Sequence, residues 1–128
     1  MAEETLVAPN VSEAQRLVAL LDEAGIPPRA ALWAYAPDRE TWRLWIVPPE
    51  GLTDKHEFYL RLAKVFAAHS TELAGLDLGE VQFVSDDHPA IRGLARSFRL
   101  DGISNVRFSD NVLNGYFLPD AMIIRMHV

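Results

Sequence analysis

The run Ala30-Ala31-Leu32-Trp33-Ala34-Tyr35-Ala36, then Pro37-Asp38-Arg39-Glu40, then Thr41-Trp42-Arg43-Leu44-Trp45-Ile46-Val47, decides the fold. Both arms are rich in aromatic and branched residues, and the four residues between them carry turn chemistry, so the stretch predicts a β-hairpin. A turn centred on Asp38-Arg39 sets Ala36 opposite Thr41 and Ala34 opposite Arg43. One face then carries Trp33, Tyr35, Trp42, Leu44 and Ile46, and the other carries Leu32, Ala34, Trp45 and Val47 beside Arg43. A slip of one residue would exchange the two faces. The first face is core. The second is too apolar for water and needs a cover, either a helix or another chain. Left open it would be the kind of contiguous apolar patch that marks an interface, with Trp45 and Arg43 as anchoring residue types.

Upstream, Asn10 or Ser12 suits a helix N-cap, with Glu13 or Gln15 three residues on as the answering side chain. Leu17, Val18, Leu20, Leu21 and Ala24 make an apolar stripe, and Glu13, Arg16, Asp22 and Glu23 take the wet side. Gly25 fits a left-handed cap, and Pro27-Pro28 forbids continuation. Downstream, Thr53 or Asp54 caps a second helix that runs to about Ala68 or His69, with Phe58, Leu62, Val65 and Phe66 inward. A looser segment through Gly75 and Gly79 leads to a short strand from Val81 to Val84. Asp86-Asp87-His88-Pro89 opens a third helix with Ile91, Leu94, Ala95 and Phe98 at helical spacing. Three strands are predicted after it: Ile103 to Phe108, Gly115 to Leu118 and Ala121 to Val128. Turn chemistry separates them at Asp110-Asn111, at Asn114-Gly115 and at Pro119-Asp120.

The resulting order, α-β-β-α-β-α-β-β-β, predicts a single α+β domain over residues 1–128. It reads as two layers, a mostly antiparallel sheet with helices packed mainly on one face. A chain of 128 residues suits one core. Its composition, 49% hydrophobic and 23% charged, excludes the disordered class. Without cysteine there are no disulfides, thiolate metal sites or cysteine nucleophile. Met1 to Asn10 hold Glu3 and Glu4 and lack a basic start or an apolar run, and no stretch approaches the roughly 20 apolar residues that span a bilayer. These features point to a cytoplasmic protein with no membrane segment.

A net charge of −6 disfavours indiscriminate nucleic-acid binding, because the overall field repels phosphate. The charge is uneven, however. Arg92, Arg96 and Arg99 fall at i, i+4 and i+7 of the third helix, on a face turned away from Ile91, Leu94 and Phe98, and Arg107 follows. Such a stripe suits phosphate or carboxylate groups, or is simply a solvated face.

Organised chemistry is sparse. Asp86, Asp87 and His88 pair carboxylates with an imidazole and are the candidate catalytic residues, but adjacent residues rarely converge on one atom. The same residues serve a helix start, with Pro89 in the first turn. His56 has Tyr59 and Leu60 three and four residues on, so it forms no helical metal pair, and His69 meets Glu72 only if the helix continues. No Gly-x-Ser-x-Gly elbow and no phosphate-binding glycine loop occurs. The pattern points to no metal and no cofactor, and it leaves enzymatic activity open while leaning against it.

The aromatic strands Ala31 to Tyr35 and Trp42 to Val47, together with the run Val106 to Phe117, resemble segments of small bacterial proteins of unknown function. That resemblance implies a structural likeness and carries no activity or residue role. The leading functional expectation is a protein-interaction module contacting a protein through Arg43, Trp45, Arg92, Arg96 and Arg99, with strand edges at the C-terminus as the place where a second copy would pair to give a homodimer. Two other expectations stand beside it. One is a nucleic-acid-contacting or defence-associated accessory protein using the arginine face and Arg107. The other is a small metal-assisted hydrolase using Asp86, Asp87 and His88.

Overall fold

The computed structural model describes residues 10–128, with the side chains at 110 and 111 left out, so the expectation drawn from Met1 to Asn10 lies almost wholly outside the described residues. Helix α1 (Val11–Glu23) is capped by Asn10, whose side chain accepts from the Glu13 amide. It closes through Gly25, at φ +81°, with the Ile26 amide donating back to the Leu21 carbonyl. Strands β1 (Ala30–Ala36) and β2 (Thr41–Val47) pair in the expected register, Ala36 with Thr41 and Ala34 with Arg43. Helix α2 (Lys55–Ala68) starts at Asp54, which accepts from the His56 and Glu57 amides. A short 3₁₀ turn (Leu78–Glu80) leads into β3 (Val81–Phe83), then helix α3 (Pro89–Ser97). The chain finishes with β4 (Val106–Leu113) and β5 (Tyr116–Met126).

This is an α+β fold on one five-stranded sheet of order β3-β2-β1-β5-β4, antiparallel except where β3 runs parallel to β2. α1 and α2 pack on one face, where Leu17, Leu21, Phe58 and Leu62 meet Trp33, Leu44 and Ile46. On the opposite face Ala90, Ile91 and Leu94 of α3 meet Leu32, Trp45, Val47 and Ile123. Helices therefore lie mainly on one face, as expected, but α3 covers the other and adds a third layer.

Two expected turns are strand instead. The backbone of β4 continues through positions 110 and 111, and β5 runs on through Pro119-Asp120, so the last two expected strands are one. The turn that does form is Asn114-Gly115, with φ of 52° and 83°, the two positive values a type I′ hairpin requires. Its geometry explains how Pro119 fits. Alternation from that turn points the odd-numbered β5 amides away from β4, and β5 pairs with β1 only as far as Ala121. Pro119 thus sits where no amide is needed.

The turn chemistry at Pro119 still leaves a mark. Leu118 and Ala121 are buried in the same cluster although three residues apart, and half-buried Phe108 packs against the cluster that buries Leu113, five residues on. Strict alternation would place each pair on opposite faces. Because the β4–β5 register runs without a shift, the hairpin itself rolls at this level. Its outer half, beyond the roll, lays Leu113, Tyr116 and Leu118 towards α3 and Trp45 and turns Val112 and Phe117 outward.

Candidate functional site

The residues expected to carry chemistry do not converge. His88 is the N-cap of α3: its Nδ1 accepts the Ala90 amide at 3.1 Å, with Pro89 in the first turn. Its ring packs against both Trp45 and Tyr116, at centroid distances of 4.9 and 4.8 Å. Burial there pushes the imidazole below its ordinary value, with the Asp87 charge working the other way. Asp86 turns to Arg29, whose Nη1 donates at 3.1 Å, and Asp87 is exposed. Among the described residues no group of three or more His, Asp or Glu side chains is placed to hold a metal ion.

A carboxylate–imidazole pair forms elsewhere. His69 Nδ1 lies 2.7 Å from Glu72 Oε1, and the other oxygen of Glu72 accepts from the Arg16 guanidinium. The bonds from His69 and Arg16 hold the Glu72 carboxyl below its usual range. His69 borders a groove of about 550 Å³ between α1 and α2, floored by Leu20, Ile26 and Val65. No serine or threonine is among the described residues lining it, so the pair has no hydroxyl to activate.

The arginines are not one stripe. α3 ends at Ser97, with Phe98 already extended, so only Arg92 and Arg96 are helical. Arg96 donates to Asn114 Oδ1 at 3.2 Å, and Arg99 pairs with Asp101 at 2.8 Å. Arg107 holds Asp120 through two nitrogens, a grip that raises its own pKa. Arg43 and Arg92 make no ion pair or hydrogen bond among the described residues. Trp45 offers no surface at 5% exposure, because α3 and Tyr116 cover it together with Leu32 and Val47. The open-patch alternative for that face is therefore replaced by a helix-covered one.

What the structure does leave open is β4. It is the last strand of the sheet and eight residues long. In a two-residue hairpin the flanking pair, Leu113 and Tyr116, exchanges both hydrogen bonds, so odd positions of β4 serve β5. The amides of Val106, Phe108 and Val112 consequently point off the sheet, and no described backbone group outside the strand meets them. Val112 and Phe117 sit directly opposite each other beside this edge, 67% and 54% exposed.

The sequence held a signal for this site in the Asn114-Gly115 hairpin flanked by Val112 and Phe117. Placing a turn at Asp110-Asn111 hid it by cutting β4 short. No protein-family model, curated protein or solved structure matches the chain. Among the described residues no helix is long and apolar enough to cross a membrane.

Proposed function

We propose that this protein is a protein-interaction module that works by strand addition: an extended segment of a partner pairs with the open edge of β4. The supporting observation is the combination of an eight-residue edge strand with the exposed pair Val112 and Phe117 beside it. Main-chain bonds to the free amides supply affinity in this mode, and flanking side chains supply selectivity. β4 carries no proline, lysine or bulge, the usual devices that keep an edge from pairing. Its charged positions are Arg107, which pairs with Asp120, and the acid at position 110. Against the nucleic-acid alternative, Arg96, Arg99 and Arg107 are engaged within the chain.

Affinity purification of the tagged chain from its host tests this reading, with nuclease added and with Val112→Pro as the comparison. Proline at 112 removes an outward amide while leaving the bonds to β5 intact. A protein retained at stoichiometric yield by the parent chain and lost with Val112→Pro is the expected result. Retention that ignores the substitution, or material lost with nuclease, would overturn it.

A further inference from the structure

We infer that the segment added to β4 is β4 of a second copy, joined about a two-fold axis at Ser109 to give a continuous ten-stranded sheet; this rests on the strand-addition reading above. A two-fold edge pairing must match outward amides with outward amides, which leaves few registers for this strand. Centred on Ser109, it sets Val106 opposite Val112 of the partner subunit and Phe108 opposite position 110, and it pairs every residue from Val106 to Val112. Centred one residue later, it would stack the two Asp110 positions, a like-charge pair that disfavours it. Centred one residue earlier, it would leave Val112 beyond the paired run and still in water.

In the favoured register, Arg107 faces Asn111 of the partner subunit, so no two like charges oppose each other. Each exposed Val112 gains a cross-strand valine while Phe117 flanks it on its own chain. The interface is small, so the dimer belongs in the micromolar range, a Kd of about 1–100 µM. Two chains of net charge −6 also repel at long range, so added salt strengthens the dimer.

The test measures the mass of the full chain by sedimentation equilibrium from micromolar to about 300 µM, a range chosen to bracket that Kd. Amide exchange at Val106, Phe108 and Val112 is followed across the same range. The expected result is a concentration-dependent species of twice 14.3 kDa. Those three amides slow as it forms, and both Val112→Pro and Val112→Lys weaken Kd by about tenfold or more. Far-ultraviolet circular dichroism of each variant confirms that it is folded. A chain that stays monomeric throughout overturns the second copy as partner. A dimer indifferent to both variants overturns the interface.

Co-expression of tagged and untagged chains separates the two possible failures. If the untagged copy is not retained but another protein is, and Val112→Pro releases it, the self-pairing fails and strand addition stands. If nothing is retained through position 112, both fail.

Discussion

At one border of the sheet, β3 is three residues long and closed by a single side chain from α2. The Tyr59 hydroxyl accepts the Phe83 amide at 2.8 Å and donates to the Val81 carbonyl at 3.4 Å, while the Val81 amide bonds back to Leu78. At the other border, β4 runs eight residues, no described backbone group outside the strand meets its outward amides at Val106, Phe108 and Val112, and an apolar pair lies beside them. Both strands face the same hazard of uncontrolled pairing. That one edge is short and capped while the other is long and uncapped among the described residues is the contrast on which the strand-addition proposal rests.

The largest test of that contrast is Gly93→Ala. A Cβ at Gly93 would meet Leu113 Cβ at 2.8 Å, so α3 and the β4–β5 hairpin touch through a glycine. Forcing them apart costs about 1–3 kcal/mol in urea denaturation and loosens the open edge while leaving Phe83 protected. Next is Tyr59→Phe, which strips the cap and leaves the Phe83 amide and the Val81 carbonyl without their partner. A loss of about 1–2 kcal/mol is expected, with faster exchange at Phe83 and none of this change at Val106 or Val112.

A smaller effect is read through pH. Only a neutral His88 ring accepts the Ala90 amide at Nδ1, and burial already lowers its pKa from 6.5. The native state therefore binds fewer protons than the unfolded one in the window below pH 6.5. His88's contribution is complete above that value and is lost as pH falls through its lowered folded pKa. His88→Ser keeps a capping oxygen and removes the titration, so its Tm should fall less than the parent's between about pH 7.5 and pH 5.5. Smallest of all is Phe117→Ser. The side chain is more than half exposed, so monomer stability should move by no more than about 0.5 kcal/mol in urea, even as association weakens.

Sequence periodicity carried the fold a long way because its strongest signals were local. The Pro37–Glu40 turn fixed the register of β1 and β2, and Asn10, Asp54 and Gly25 fixed helix ends through their own side chains or φ. What it missed was decided between distant segments. Whether α3 would cover Leu32, Trp45 and Val47 depended on where a helix far along the chain, starting only at Pro89, would land. Arg99 left the expected stripe because Phe98 turned extended at the helix end. Tyr59 as an edge cap was invisible, since nothing in its neighbourhood names Phe83.

The buried Arg125 is a further case. At 7% exposure it is held by two bonds of 2.8 Å to Asp22 and by the carbonyls of Pro28 and Gly102. No motif announces a cation in a central strand.

The roll at Pro119 has a consequence for how the hairpin tip keeps its orientation. Beyond it the arm is greasy on both sides, Leu113 and Leu118 on one and Val112 and Phe117 on the other. Hydrophobic patterning cannot choose between two such sides. The choice falls to polar and aromatic pins: Tyr116 against His88 and Trp45, Asn114 donating to the Pro89 carbonyl at 3.1 Å, and Arg96 holding that same asparagine. The arm behaves as a two-sided tab locked by its last few residues, and the side it shows to the outside world is set at the start of α3.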